Sequence, residues 1–466
     1  LLVFAGSILM TAAVLAVSKG ALSLSKIDKV LRPTGSVQIT GKLSQTKLVQ
    51  CGQMAVYMDV SIKPPAMEMM IAPQRATDMI IVLDRSGSMS EAKKMPYAKA
   101  AIRNVLSRLN ENDRFALISF ANNAIIHSPL IPVGSAKREY LNGMVNSIVS
   151  SGGTNMGDGL NAALRIMSNN DSERAKKVLL LSDGQANQGV TGPEGLSSIA
   201  TRLTHTGSVL SSIGMGLNFN ETLMATLADH GMGHYAYLED LSGLGQILAS
   251  DLNDTRNIVA NSSTLKISLG DGVQLNDAGG YPLSRSGSTV SIATGQLLSN
   301  SDKKFVMTFN VPTTHVGQVQ LGQMRLIYKA QGNEYQSGMN DESLMLAVVE
   351  PERREEAISS IDRDVYKQSW LKNNLGRMQK KLSQWVREGN KDEAQKVIAD
   401  YRHAVEEAEA AGNVPMASVE MDDKLDAMKS EVNEAFAGSR QDQEVKRKRS
   451  AKSIQFGAIK EQRSNN

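Results

Sequence analysis

A single cysteine, Cys51, and only two tryptophans occur among 466 residues. One thiol excludes an internal disulfide framework, a cysteine-based zinc site and an iron–sulfur cluster. Aromatic residues make up 4% of the chain and hydrophobic residues 41%. This fits an aliphatic core and argues against a porin or multi-span channel. Neither sign of charge dominates, since Lys and Arg number 51 and Asp and Glu 48, for a net charge of +3. Such a balance does not suit a polyanion binder, and no nucleic-acid partner is expected. The charge is unevenly spread, however: from Arg440 to Asn466 eight basic residues face three acidic ones.

Long apolar runs are scarce as well, with one exception. Leu1–Ser18 reads LLVFAGSILMTAAVLAVS without a charge, and Lys19 follows. The run suits a membrane span or the apolar region of a signal peptide, with Ala16-Val17-Ser18 as a small-x-small cleavage site. Residues 1–25 are therefore assigned as a signal peptide or membrane anchor. The protein is expected to be exported, either anchored in the membrane and facing the periplasm or outside, or secreted after cleavage.

The rest of the chain divides by periodicity. Residues 36–76 alternate with period two (Val37 and Ile39, then Val56, Met58, Val60 and Ile62), which predicts strands with one buried face. Residues 77–254 alternate apolar strand candidates with helical patterns. The strands are Met79–Leu83, Phe115–Phe120, Val178–Leu181, Val209–Ile213 and His234–Leu238. The helices are Pro96–Leu109, Gly157–Met167, Glu194–His205 and Glu221–Ala228, with a last one over Leu241–Leu252. This predicts an α/β domain with a mostly parallel, Rossmann-like sheet and helices on both faces. Period two returns over residues 257–350. The first strands are too few to fold alone, so both β segments are expected to form one sandwich in which the α/β domain is inserted. Residues 352–438 carry heptad-spaced apolar residues, such as Leu371, Leu375, Met378, Leu382 and Trp385, and predict a helical hairpin or bundle. The basic segment 439–466 is expected to be a disordered, solvated tail.

The chemistry gathers at the strand ends. Asp84, Ser86 and Ser88 leave the first α/β strand at its carboxyl end, where open sheets bind ligands. A Gly-rich loop, Ser151 to Gly159, carries Thr154, and the strand ending at Ser182 is followed by Asp183-Gly184. Two carboxylates and three hydroxyls form an all-oxygen set suited to a hard divalent cation. Mg²⁺ fits first, with Ca²⁺ or Mn²⁺ as alternatives.

At these residues the chain resembles the von Willebrand factor type A family and its metal-ion-dependent adhesion site. The pattern is Asp-x-Ser-x-Ser, a distant Thr and an Asp-Gly, met here by Asp84, Ser86, Ser88, Thr154 and Asp183-Gly184. Beyond this domain the likeness extends more loosely to bacterial proteins similar to calcium-activated chloride-channel and inter-α-trypsin-inhibitor heavy-chain proteins. The resemblance implies that the hydroxyls of Ser86, Ser88 and Thr154 ligate the ion and that Asp84 and Asp183 act partly through water. One coordination position then stays open for an Asp or Glu of a protein partner. Neutral hydroxyls leave the ion more residual charge with which to attract that carboxylate.

The expected function is metal-dependent protein binding or adhesion at the cell envelope, without enzymatic activity. Assembly or regulation of a membrane complex is the alternative, and a hydrolase is disfavoured. Gly152 to Gly159 lacks the Gly-Lys-Ser/Thr of a Walker loop. His230-x-x-x-His234 has zinc-like spacing but is broken by Gly231 and Gly233. A serine nucleophile would need a general base, and no motif ties any of the six histidines to Ser86 or Ser88. Lying at a solvent-facing strand end, Asp183 is expected to tolerate replacement by Ala without loss of the fold.

Overall fold

The computed structural model describes residues 36–465 except 66–75, 171–173, 184, 218, 239–242, 331–332, 417 and 463. The leader at residues 1–25 lies outside the described residues. No helix among those described is long and apolar enough to cross a membrane.

Three strands come first: β1 (Gln38–Leu43), β2 (Lys47–Val49) and β3 (Gly52–Lys63). The α/β unit follows as β4 (Thr77–Asp84), α1 (Lys94–Arg108), β5 (Arg114–Phe120), β6 (Ala124–Pro132), α2 (Ser135–Ser147), α3 (Met156–Ser168), β7 (Ala175–Ser182), α4 (Pro193–His205), β8 (Ser208–Met215), α5 (Glu221–His230), β9 (Met232–Leu238) and α6 (Leu244–Arg256). Its sheet runs β6-β5-β4-β7-β8-β9, parallel throughout except at β6. Every residue of β4, β7 and β8 is buried, which is why these strands read as continuous apolar runs. One face of the sheet packs Ile81, Leu83 and Leu179 against α1, α2 and α6; the other packs Ile80, Val82 and Leu180 against α3, α4 and α5. The last helix buries Leu244, Leu248 and Leu252 and leads straight into strand Ile258–Ala260.

Two elements of this unit are absent from the sequence reading. Strand β6 contains Pro129 and Pro132 and is the antiparallel edge of the sheet, where missing N–H donors are tolerated. Helix α2 buries only Leu141 and Val145, too narrow a stripe to give a clear helical period.

The flanking strands form one sandwich across the insertion. In its first sheet β1 pairs with β3, and β3 pairs antiparallel with strand Lys303–Thr313 from Lys303↔Ile62 to Thr313↔Gly52. The second sheet is ordered Leu283–Ser286, Thr289–Ala293, Ser262–Leu269, Gly322–Ala330, Asn333–Gly338. Val56, Met58, Val60 and Ile62 meet Leu265, Ile267, Met324 and Leu326 in a common core.

The C-terminal part holds α7 (Arg354–Ser359), α8 (Arg363–Glu388), α9 (Lys391–Gly412), α10 (Val419–Ala435) and α11 (Arg440–Gln462). Gly389, with φ of +83°, ends α8 in a left-handed cap, and Asn390 opens α9 by accepting the Glu393 N–H at 3.2 Å. Helix α11 corrects the expectation of a disordered tail. Ala451, Ile454 and Ala458 step by three and four residues and are buried, while the basic run lies on the rest of the helix surface. Its charges are paired along the way: Lys448 meets Glu444 at 2.9 Å, and the Arg447 guanidinium lies 5.8 Å from the Phe436 ring centre. A charge run says nothing about a narrow stripe of small residues on the opposite face, and here that stripe decides.

Candidate functional site

The carboxyl ends of β4 and β7 lie side by side at the centre of the sheet, Leu83 opposite Leu181. This register brings Asp84 next to Ser182 and Asp183. Both carboxylates are fully buried. The chain leaves β4 in a turn in which Asp84 Oδ1 accepts the Ser86 N–H at 2.8 Å. That turn points two hydroxyls the same way, Ser86 Oγ and Ser88 Oγ, 3.1 Å apart. Ser88 Oγ donates in turn to Asp183 Oδ1 at 2.9 Å. Four of the five motif residues are thus linked in one hydrogen-bonded run.

Thr154 is brought to the same mouth by backbone contacts. Gly87 N donates to Gly152 O at 3.0 Å, and Ser151 N to Arg85 O at 2.7 Å, so the second loop rests on the first. Gly152 takes a φ of +79°, and a Cβ there would come within 2.9 Å of the Asn122 side chain. Thr154 itself is buried and held by Asn187, whose Oδ1 accepts the Thr154 N–H at 2.8 Å and whose N–H donates to Thr154 O at 3.1 Å.

Burial pushes the Asp84 carboxyl up from its ordinary 3.8 to about 6; hydrogen bonds from Ser182 and Ser86 oppose the shift and the neighbouring Asp183 adds to it. Three further residues shape the site without being marked by the motif. Ser182 Oγ donates to Asp84 Oδ2 at 2.6 Å. Asn187 fixes the Thr154 loop. Lys94, the first residue of α1, places its Nζ 2.5 Å from Asp183 Oδ2 and 3.2 Å from Ser88 O. No sequence rule marks a lysine six residues past the motif as buried; only its place at the first helical position, with its side chain directed back along the helix axis, hints at it.

The Lys94 pairing corrects the expectation that Asp183 faces solvent. Its side chain is 0% exposed and holds an ammonium that is itself only 5% exposed. Among the described residues no three His, Cys, Asp or Glu side chains converge as a metal-holding group. A cation in this crevice would therefore rest largely on hydroxyls, with two carboxylates behind them. That donor chemistry, all oxygen and low in charge, fits a hard divalent ion. Four of the six histidines engage elsewhere: His127 with Ser119, His230 with Thr201, His315 with Thr314 and His403 with Glu407. A cavity of about 300 Å³ lies apart from the crevice, where β9, α11 and the sandwich meet around Tyr235, Phe456 and Tyr281.

Comparison with known proteins agrees with this fold. The Escherichia coli K12 protein YfbK is 30% identical over 194 residues, covering 41% of this chain and 33% of its own length. Human inter-alpha-trypsin inhibitor heavy chain H4 is 28% identical over 168 residues, 34% of this chain and 18% of that protein. The chain thus spans a third or less of these curated relatives. A solved von Willebrand factor type A structure from Catenulispora acidiphila shares the fold over 93% of this chain and 98% of its own, with a TM-score of 0.65 at 14% identity. Residues 78–250 match the family in sequence as well, and they form a von Willebrand factor type A domain.

Proposed function

We propose that this protein binds a protein partner through a divalent cation held at the mouth of its α/β domain, with the partner supplying an Asp or Glu. Domains of this type mediate protein–protein interaction. The observation that carries the metal-dependent reading is the linked run Asp84–Ser86–Ser88–Asp183, two hydroxyls backed by two buried carboxylates at a strand end. Ser86, Ser88 and Thr154 would hold the cation directly, and Asp84 and Asp183 would orient the hydroxyls and balance charge. The ion would supply a Lewis-acidic centre for a carboxylate. Mg²⁺ is the proposed ion on hardness and availability.

The protein's own residues define what enters. Ser88 is half-buried beside the exposed Gly87, whereas Ser86, Thr154 and both carboxylates are buried, so the site is reached from the Ser88 side and the carboxylates stay inside. A partner carboxylate is thereby kept from Asp84 and Asp183, whose charge would repel it. The N-terminal apolar run supports a place at the cell envelope.

Titration calorimetry with Mg²⁺ tests the first step and is expected to give one site that Ser86→Ala abolishes. Water-proton relaxation with Mn²⁺ tests the second. Glutarate, as a carboxylate probe, is expected to lower the relaxation enhancement of the protein–Mn²⁺ complex. Absence of any Mg²⁺ or Mn²⁺ binding overturns the reading.

A further inference from the structure

We propose that Lys94 is a resident cation of this crevice, holding Asp183 while no metal is bound and lowering the affinity for the metal that it admits. The proposal rests on the metal-binding reading above. Lys94 occupies a position that helix electrostatics disfavours. It is the first residue of α1, where the macrodipole presents partial positive charge, and the first turn has no acidic residue to offset it. Two successive non-glycine residues, Ala92 (φ +48°) and Lys93 (φ +58°), adopt left-handed backbone just before it. The side chain that results is buried, its stem close enough to Gly216 that a Cβ there would lie 3.1 Å from Cε. Local energetics would not place an ammonium here; its partner does.

That partner is fully engaged. Of the two Asp183 oxygens, Oδ1 accepts from Ser88 and Oδ2 from Lys94. With Asp84 and Asp183 ionised, the two carboxylates and Lys94 carry a net charge of −1. A divalent ion takes the group to +1; without Lys94 it would reach neutrality. Two consequences follow from Coulomb's law in a poorly solvated site. The ammonium repels the entering ion and shares one of its carboxylates, which weakens ion binding. The same surplus charge strengthens the hold on a carboxylate from outside. Lys94 thus trades metal affinity for ligand affinity, and it keeps Asp183 from standing as an uncompensated buried charge when the ion leaves.

The test is Mg²⁺ titration calorimetry at pH 8 on the full chain and on the neutral variants Lys94→Met and Lys94→Gln. Both are expected to bind Mg²⁺ more tightly than the parent, by roughly ten-fold or more. In chelator both are expected to melt below the parent, since Asp183 has lost its counter-charge, and to gain more from added Mg²⁺. In the relaxation assay their Mn²⁺ complexes are expected to need more glutarate for the same effect. Unchanged or weaker Mg²⁺ affinity in both variants overturns the role of Lys94 and leaves the metal site standing. If the parent chain itself binds no Mg²⁺, the metal reading fails and this proposal with it.

Discussion

The hydroxyl of Ser182, last residue of β7, donates to Asp84 Oδ2 on the neighbouring strand at 2.6 Å, tying the two central strand ends together beneath the candidate metal site. This bond and the Ser86 N–H satisfy both oxygens of a carboxylate that water does not reach. They do not fully compensate its burial, because the group still titrates near 6.

That value sets a pH dependence for the ion-free protein. The folded carboxyl binds its proton more tightly than the unfolded one, whose ordinary value is 3.8. Between about pH 4 and 6 the native state therefore holds more protons, and stability falls as pH rises through this window. The difference corresponds to about 3 kcal/mol of destabilisation above pH 6. Urea unfolding in chelator is expected to show about 2 kcal/mol of this loss between pH 4.5 and 7, and Asp84→Asn is expected to remove it. Saturating Mg²⁺ is expected to reverse the trend, since the ion requires the deprotonated form. A parent and an Asp84→Asn variant with the same pH profile in chelator would contradict the assignment.

Asp183 offers a second test, in which the choice of substitution matters. Asp183→Ala strips the Lys94 ammonium of its carboxylate while leaving it buried, a loss of about 3–5 kcal/mol. Asp183→Asn keeps an acceptor for Ser88 and a polar neighbour for Lys94, so it is expected to cost less. Melting curves in chelator should therefore rank the parent above Asn and Asn above Ala. The double variant Asp183→Ala with Lys94→Met is expected to recover much of the loss. An Asp183→Ala variant that melts with the parent in chelator would show that the pair carries little of the local stability.

The α/β sheet is legible in the sequence because its strands are buried on both faces and its helices are amphipathic. The crevice is legible for a related reason: polar residues at the carboxyl ends of apolar strands have only one place to go. Lys94 is not legible, because a lysine in a helical pattern reads as surface, and only the register of β4 against β7 brings Asp183 to it. The same holds for α11. Lys452 belongs to a basic segment, yet it is buried against Glu221, more than two hundred positions earlier in the chain. Long-range pairing of charges leaves no periodic trace.

The sandwich is continuous in space but not in sequence, and this predicts how fragments behave. Residues 257–350 alone would expose the full edge of Lys303–Thr313, with Phe305, Met307, Phe309 and Val311 losing Met58 and its neighbours. Such an edge favours aggregation. A fragment in which residues 36–63 are linked to 257–350 is expected to be more soluble and to show slow amide exchange in Lys303–Thr313. Equal protection of that strand with and without residues 36–63 would count against the shared sheet.

The helical bundle is expected to be bound to the α/β domain through one buried charge cluster. Lys452 of α11 donates to Glu221 Oε2 at 2.7 Å and to Phe219 O at 2.7 Å, and its Nζ lies 3.9 Å from the centre of the Phe219 ring. Arg387 of α8 pairs with the other Glu221 oxygen. Lys452 and Glu221 are 5% and 7% exposed, so removing Glu221 leaves Lys452 charged and dry, and removing Lys452 leaves the buried Glu221 with only the more exposed Arg387 beside it. Lys452→Met is accordingly expected to cost about 3–5 kcal/mol, whereas Glu221→Gln with Lys452→Met together should cost far less than the sum of the single changes. Both tryptophans, Trp370 and Trp385, lie on α8, so their fluorescence reports unfolding of the bundle directly. Additive single and double variants in urea titrations followed at tryptophan would mean that the cluster is solvated and does not fix the bundle to the domain. Strong coupling, with the bundle melting before the α/β domain in Lys452→Met, is the expected result, because Ala451 and Ile454 of α11 pack into the bundle's own core and leave its hold on the α/β domain largely to the charge cluster.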